Sequence, residues 1–398
     1  MSAPSNYIFY SGSNIVLQSG SITPFALPAT YVVFSGSIAG ITGPYYAING
    51  LNNNIDFNGS ASTVINSALS NGGVVFLKAA TYRINSSINM PDNSELRGEG
   101  RNSTILSVNA DPCIISKNAS TTNPNHNIII RDLSLNGSVI TSNNSGSIAL
   151  PGVYDCLIEN CYISGSRGFG GIYIGSPSQN IAPNQSRNIV KNNYVIATLT
   201  GSGTSGEGIF ITGIQQIYTL LDGNICAYNS SNGIEVEDQG NNCIITNNIL
   251  FGNSSGISVA TCSGSIFSNN ICSRNLAFGI NTSVDSKFLS IKGNYCQENS
   301  SDGIVIPSSG SIISNNSCIN NNLSNGANQS GIRVSASGLV LTNNNCVDNR
   351  TSKTQVYGIF LDAGADYCVV QGNNCHTNKT AGIFVNTIGN NVIGNNIV

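Results

Sequence analysis

Four carboxylates in the middle of the chain are the best candidates for chemistry. Glu235 and Glu237 stand two residues apart in an alternating segment that ends at Asp238, so a strand would point both glutamates outward. Glu207 occupies a related place one repeat earlier. Two carboxyl groups within roughly 5 to 10 Å of each other can cleave a glycosidic bond, because crowding of like charges raises one pKa. A Ca²⁺ ion would suit the same oxygens, and an acidic patch that only keeps the surface soluble is the third interpretation.

The sequence places no cation or catalytic histidine beside these carboxylates. No Arg or Lys lies in the same local segment, and Arg333 comes several repeats later. β-Elimination from a uronate needs a cation or metal on the substrate carboxylate, so this spacing disfavours a lyase. We interpret His126 and His376 as solvated turn residues, because each lies among residues typical of turns.

Outward aromatic residues are the candidates for binding. Tyr173 and Phe210 occupy the place of Glu235 in the two preceding repeats, and we expect them, with Asp238, to contact a glycan. Aromatic side chains at such positions can stack on sugar rings, pack under longer turns such as 198–207, or form an oligomer interface.

A repeat of 22 to 31 residues positions these side chains. An Asn recurs at each turn, a second Asn follows five residues later, and a Gly-Ile pair opens each short alternating strand. The first file is Asn193, Asn224, Asn248, Asn270, Asn294, Asn316, Asn344, Asn373 and Asn395. The second file is Asn229, Asn253, Asn275, Asn299, Asn321, Asn349 and Asn378. Short strands without helices between them predict a parallel β-helix of about a dozen coils, stacked about 4.8 Å apart.

One interior file alternates Cys with Val, Leu and Ile, two residues after the first Asn. Its cysteines are Cys226, Cys272, Cys296, Cys318, Cys346 and Cys375. A position that accepts any medium-sized apolar side chain is a buried one, so we expect free, buried thiols.

Composition excludes several classes of protein. The chain has 398 residues, of which 9% are charged, and its net charge is −3. A nucleic-acid partner would require a basic balance and a disordered chain would require high charge. No apolar run is long enough to span a membrane, and no signal peptide is visible.

An amphipathic helix precedes the repeats. Val64, Ile65, Ala68 and Leu69 share one helical face, Ser60 or Ser62 can cap it, and Gly72-Gly73 ends it. We therefore predict three parts: a β-rich lead-in over residues 1–56, a capping helix over 57–73, and the β-helix over 74–398.

The capping region resembles the N-terminal signature of the pectate-lyase superfamily. The similarity lies in residues 61–68, Gly72-Gly73-Val74-Val75-Phe76, Ala80-Thr81-Tyr82, Leu96-Arg97-Gly98-Glu99-Gly100 and Thr104-Ile105-Leu106. This resemblance implies a single right-handed parallel β-helix, the fold of polysaccharide lyases, polygalacturonases, alginate epimerases and phage tailspikes. The catalytic motifs of polygalacturonases and alginate epimerases do not occur here, and the signature is shared by active and inactive members.

Three functions remain open from the sequence. The first is an extracellular, cell-surface or virion rod that recognises a polysaccharide, with or without glycan-cleaving activity. The second is a secreted polysaccharide lyase or hydrolase, and the third is a non-catalytic structural or adhesive fibre. We expect no cofactor other than the Ca²⁺ considered above, and no nucleic-acid partner.

The end of the last repeat predicts an interaction. After Asn395 and Ile397 the sequence stops at Val398, before another Gly-Ile strand. An uncovered stack end presents unpaired backbone groups and apolar side chains. We therefore expect this end to be covered. The cover would be a second copy of the chain, in a homo-oligomer or a head-to-tail stack, or another protein, or a further segment.

Overall fold

A helix closes the N-terminal end of a long β structure. The computed structural model describes residues 6–11, 14–19, 29–36, 43–70, 72–110, 112–117, 124–137, 146–175, 186–200, 206–213, 217–238 and 240–398. Helix Ala61–Ser70 buries the predicted apolar face. Ser60 caps it by accepting a hydrogen bond from the backbone N–H of Thr63 at 3.3 Å, and Gly72 follows its end with φ 75°. Ser62, the alternative cap, instead accepts from the N–H of Asn85.

Three sheets run the length of the described chain. The first sheet contains Ile55–Gly59, Tyr45–Asn49, Tyr31–Ser35, Gly73–Leu77, Ser94–Gly98, Ile128–Arg131, Leu157–Glu159, Ile189–Lys191, Leu220–Asp222, Ile244–Thr246, Ile266–Ser268, Ser290–Lys292, Ile312–Ser314, Val340–Thr342, Val369–Gln371 and Val392–Gly394. The second contains Ala80–Ile84, Thr104–Val108, Ser134–Asn136, Tyr162–Ser164, Tyr194–Ile196, Ile225–Ala227, Ile249–Phe251, Ile271–Ser273, Tyr295–Gln297, Ser317–Ile319 and Asn345–Val347. The third contains Ile88–Met90, Ile114–Ser116, Gly146–Pro151, Gly170–Gly175, Glu207–Ile211, Ile234–Val236, Ile257–Val259, Ile280–Thr282, Ile304–Ile306, Ser330–Val334, Tyr357–Leu361 and Ala381–Val385.

Each coil from Gly73 to Leu361 contributes one strand to each sheet, and strands of successive coils pair in parallel. The exceptions are at the N-terminal end, where Tyr31–Ser35, Tyr45–Asn49 and Ile55–Gly59 pair antiparallel. In the last coils the second sheet continues only as single bridges at Asn374 and Ile397. Two short pairs complete the description: an antiparallel hairpin of Asn6–Ser11 with Asn14–Ser19, and Asn125–His126 with Val153–Tyr154. The single β-helix of about a dozen coils predicted from the repeat is confirmed.

The first Asn file forms a continuous buried ladder. Each side-chain amide donates to the Oδ1 of the next Asn along the rod, as Asn270 does to Asn294 at 2.9 Å and Asn294 to Asn316 at 3.0 Å. Each Oδ1 also accepts from the backbone N–H of the preceding Asn. The ladder therefore satisfies buried backbone groups at the turn between the first and second sheets.

The register prediction for the last coil is wrong by one residue. Asn373 donates to Asn396 rather than Asn395, and Asn395 takes a left-handed backbone conformation instead. Val398, not Ile397, then follows at the position of Cys375, and Ile397 is 63% exposed.

The second Asn file is confirmed as far as Asn321 and corrected after it. Asn321 donates to Oε1 of Gln355, whose own amide donates to Asn378 at 2.8 Å. Asn349 is exposed and outside the ladder, because residues 348–354 leave the coil before Gln355 returns to it. The longer side chain of Gln355 thus connects Asn321 to Asn378 and keeps the ladder continuous.

The Gly of each Gly-Ile pair is required by close stacking. A Cβ on Gly303 would lie 2.6 Å from the carbonyl oxygen of Gly331 in the next coil, and Gly279 and Gly331 are in the same situation. Only a residue without a side chain allows this approach.

Interior packing matches the sequence pattern. All twelve cysteines are free and buried, as expected. They share one core with the aliphatic residues of the three sheets. Among the described residues, no helix is long and apolar enough to cross a membrane.

Candidate active site on the third sheet

The acidic residues meet on the outer face of the third sheet. Glu207 begins the strand Glu207–Ile211, and Glu235 is the middle residue of Ile234–Val236 in the next coil. Ile234 and Val236 point into the core, so Glu235 faces outward, in register with Phe210. The sequence prediction that one face carries these carboxylates is consistent with this geometry.

Glu207 is buried beneath that face. The residue is only 1% exposed, and among the described residues neither carboxyl oxygen has a hydrogen-bond partner of good geometry; the group that interacts with it is the carboxyl group of Glu235. A buried carboxyl group with so little compensation is costly, so the surrounding structure must impose its position. Residues 201–205, in the longer turn expected to cover this face, lie outside the described residues.

Glu235 is held in its protonated form. Burial, and then the neighbouring Glu207 carboxyl, raise the pKa of Glu235 to about 8. The Asn232 amide donates to Oε2 of Glu235 at 3.1 Å and lowers the pKa of Glu235, which partly offsets this rise. Desolvation and a like charge both disfavour the carboxylate, so Glu235 can give up a proton at neutral pH.

A second pair of carboxyl groups lies at the end of the same strand. The Thr212 hydroxyl lies 2.9 Å from Oδ2 of Asp238 and 3.4 Å from Oε1 of Glu237. Burial, with Asp238 as the next cause, raises the pKa of Glu237. Thr212 therefore orients two carboxyl groups beside Glu235.

Three aromatic rings border the carboxyl groups. Phe169, Tyr173 and Phe210 pack with ring centroids 5.3 to 5.9 Å apart. Phe210 is buried, whereas Tyr173 is partly exposed. Burial, followed by the charges of Glu237 and Asp238, raises the pKa of Tyr173, which places its hydroxyl end near the carboxylates. Of the two predicted glycan-binding aromatics, Tyr173 has the more accessible ring.

The nearest outward cation along this file is remote. The outward positions after Glu235 are Ser258, Asn281, Val305 and Arg333, so four coil spacings, about 19 Å, separate Glu235 from Arg333. Arg333 lies 3.7 Å from the buried Asp302. The predicted separation is confirmed.

Metal binding and histidine chemistry gain no geometric support in the described part of the chain. There, no three His, Cys, Asp or Glu side chains converge in a way suited to a metal ion. The Ca²⁺ interpretation stays a prediction. His126 stacks on Tyr154 with centroids 5.0 Å apart, and His376 contacts the Asn374 amide oxygen; neither adjoins the acidic residues by these contacts.

Several features of the site could not be found by sequence reasoning. Thr212 and Asn232 orient the carboxyl groups, and Phe169 completes the aromatic cluster. Each lies in a turn outside the regular files, so no repeat position marks it. The burial of Glu207 depends on packing around an irregular turn and has no signal in its own segment.

Comparison with known proteins finds the same fold in other β-helix proteins. The family model described as "Right handed beta helix region" matches residues 191–331. No curated protein sequence matches the chain. Among solved structures, a mannuronan C-5 epimerase A-module from Azotobacter vinelandii aligns with a TM-score of 0.63 and 18% identity, over 85% of this chain and 95% of that one.

Two further structures show the same architecture. The Dettilon tailspike protein aligns with a TM-score of 0.53 and 16% identity, over 81% of this chain and 64% of that one. The catalytic unit of an α-1,3-glucanase from Streptomyces thermodiastaticus aligns with a TM-score of 0.55 and 12% identity, over 91% and 69%. At these identities the likeness concerns the fold alone. The chain is therefore a right-handed parallel β-helix, the fold that its capping signature predicts.

Proposed function

We propose that this protein recognises a polysaccharide on the outer surface of its β-helix and hydrolyses it at the acidic cluster of Glu207, Glu235, Glu237 and Asp238. The observation that carries the proposal is the buried carboxyl group of Glu207, which has no hydrogen bond of good geometry to any described residue and interacts with the carboxyl group of Glu235. A structural carboxylate would be paired with a cation or a donor, or solvated. One that instead lies against a second carboxyl group and raises its pKa is typical of a functional site.

Glu235 is the general acid in this proposal. With a pKa of about 8 it carries a proton at neutral pH and can donate it to the glycosidic oxygen as the bond to the leaving sugar breaks. Glu207 does not touch substrate, because it is buried. It acts as a positioning residue that keeps Glu235 protonated.

Glu237 supplies the second carboxylate. It stands two residues from Glu235, which separates the two backbones by about 6.6 Å along an extended chain. Side chains that start this far apart on one face can bring their carboxyl groups to the separations that glycosidases use, where the second carboxylate acts either as a nucleophile or as a base that activates water. The Thr212 hydroxyl and Asp238 orient the Glu237 carboxyl group.

Hydrolysis fits the charge distribution better than β-elimination does. Elimination requires a cation at the substrate carboxylate, and the nearest outward cation of this file, Arg333, lies four coils away. No cation contributes to the shifted pKa of Glu235 or of Glu237. The names of two structural neighbours, a mannuronan epimerase and an α-1,3-glucanase, support a polysaccharide as the substrate class. The tailspike neighbour supports an extracellular or virion-surface location.

The test is a panel of polysaccharides, including alginate, polygalacturonate and α-1,3-glucan, assayed for reducing-end release and for binding. We expect cleavage of at least one polymer by the wild type and a loss of about 100-fold or more in Glu235→Gln. The matched control is Glu298→Gln, which changes a surface carboxylate that pairs with Arg274; it should retain the wild-type rate. Retained turnover in Glu235→Gln refutes the assignment. Binding without turnover in the wild type identifies a non-catalytic glycan-binding rod instead.

A further inference from the structure

A file of left-handed turn residues runs along the edge between the third and first sheets. Each member except the last donates its backbone N–H to a carbonyl in the next coil. The residue that carries this carbonyl comes directly before the next member of the file. From residue 187 onward the members are Arg187, Tyr218, Asn242, Gly264, Phe288, Gly310, Gly338 and Tyr367, and Asn93, Asn127 and Asp155 precede them. Glycine and asparagine are the residues that this conformation favours.

Three members of the file are aromatic and exposed. Tyr218, Phe288 and Tyr367 have φ of 58°, 55° and 52° and are 51%, 67% and 66% exposed. Each adopts a backbone conformation that bulky residues avoid, and each leaves most of an apolar ring in solvent. Both features cost free energy, and these residues are too exposed for burial to compensate it. Strain that packing does not compensate is a reason to look for a ligand, and the regular spacing of these three residues distinguishes them from other strained positions.

The three aromatic residues are regularly spaced. Asn242 and Gly264 separate Tyr218 from Phe288, and Gly310 and Gly338 separate Phe288 from Tyr367. An aromatic residue therefore recurs at every third coil, about 14 Å along the rod axis. The Phe288 ring lies over Gly310, where a Cβ would come within 2.7 Å of it.

We propose that Tyr218, Phe288 and Tyr367, here called the aromatic edge, bind an extended polysaccharide chain parallel to the rod axis, with one sugar face on each ring. Because the rings stand about 14 Å apart, they would stack on separate sugars of one extended chain. This inference rests on the proposed function and extends its substrate-binding surface.

The aromatic edge leads to the acidic cluster. Tyr218 lies in the turn that follows Thr212, and Asp238 lies in the corresponding turn of the next coil. A chain held by Phe288 and Tyr367 would therefore reach the carboxyl groups along the same edge. The rings act together, because each occupied ring raises the local concentration of sugar at the next.

A shallow surface depression beside Tyr367 carries polar groups that sugar hydroxyls can contact. It has a volume of about 580 Å³, is open to solvent and is lined by Ser337, Asp366, Thr387 and Asn390, among others. Ring stacking together with hydroxyl and carboxylate groups is the combination that a pyranose requires.

The experiment replaces one ring with the residue that the backbone prefers. Phe288→Gly removes the ring while fitting the left-handed turn, so its thermal midpoint should equal or exceed that of the parent. The matched control is Tyr228→Gly. Tyr228 has φ 55°, is 65% exposed and lies over Gly252, but it occupies the edge between the second and third sheets.

Both variants are made in Glu235→Gln, and binding to alginate, polygalacturonate and α-1,3-glucan is measured by affinity electrophoresis. We expect Phe288→Gly to weaken binding of the recognised polymer at least fivefold, and Tyr228→Gly to leave it unchanged. Equal binding by Phe288→Gly and its parent, or equal weakening by Tyr228→Gly, overturns the aromatic edge. If the wild type cleaves a polymer in that case, the proposed function stands without it. If the wild type neither binds nor cleaves any polymer, both fail.

Discussion

The Asn ladder allows a quantitative prediction, because every partner of Asn294 is defined. Its Oδ1 accepts from the backbone N–H of Asn270 at 3.0 Å and from the Asn270 amide at 2.9 Å. Its own amide donates to the carbonyl of Phe267 at 2.9 Å, to Oδ1 of Asn316 at 3.0 Å and, over a longer distance of 3.3 Å, to the carbonyl of Lys292. Asn294→Ala deletes all five contacts in a region closed to water.

The magnitude follows from the groups that remain. The N–H and side-chain amide of Asn270 lose their shared acceptor, and the Phe267 carbonyl loses a donor. A stranded buried group costs about 1 to 3 kcal/mol. The Asn270 amide keeps its bond to the Ile245 carbonyl and Asn316 keeps other partners, so we expect a loss of about 3 kcal/mol rather than the full sum.

The assay is denaturant unfolding, combined with hydrogen exchange at the Asn270 amide. Hydrogen exchange is included because repeat proteins can unfold locally. Asn349→Ala is the matched control: the sequence repeat assigns Asn349 to the second Asn file, but the structure exposes it and places Gln355 in the ladder. It should cost less than about 0.5 kcal/mol. An unchanged midpoint and unchanged exchange in Asn294→Ala would show that the ladder does not stabilise the turn.

Three other perturbations have defined outcomes. Cys318→Val should cost less than about 1.5 kcal/mol in denaturant unfolding, since the site is buried and close in volume to valine; a larger cost, or a disulfide found by mass spectrometry, contradicts a free interior thiol. Gly303→Ala should cost about 1 to 3 kcal/mol, because its Cβ would lie 2.6 Å from the Gly331 carbonyl oxygen; a wild-type thermal midpoint would refute the close-stacking argument. For Glu235 the folded pKa of about 8 exceeds the unfolded value of 4.5. Its stabilising contribution is therefore fully present below pH 4.5 and is lost as the pH rises through about 8. Unfolding measured across this range should show less pH dependence in Glu235→Gln, and equal pH dependence would be inconsistent with the raised pKa.

Repetition explains why so much of the fold follows from sequence. Helix Ala61–Ser70, the Gly-Ile strands and most of both Asn files occupy positions fixed by local pattern, because every coil repeats the same contacts with its neighbour. Prediction failed where the pattern was ambiguous or interrupted. Asn395 and Asn396 are adjacent, and only the hydrogen bond from Asn373 distinguishes them. Gln355 replaces Asn349 after a detour whose length no pattern encodes.

The candidate site was only partly predictable for a related reason. Alternation placed Glu235 outward next to Phe210, since both follow a Gly-Ile pair. The burial of Glu207 and the contacts of Thr212 depend on irregular turns. The exposed rings of Phe288 and Tyr367 were missed because aromatic residues give no sequence signal for a left-handed turn.

The central claim is that the fold keeps Glu235 protonated at neutral pH, and a titration of the glutamate carboxyl carbons by ¹³C NMR tests it most directly. The chain has only seven glutamates, three of them in the acidic cluster, so each signal can be assigned by substitution. We predict one carboxyl group that titrates near pH 8, is absent in Glu235→Gln and titrates at lower pH in Glu207→Gln. A Glu235 carboxyl group that is already ionised at neutral pH, or one that Glu207→Gln leaves unshifted, would contradict the account.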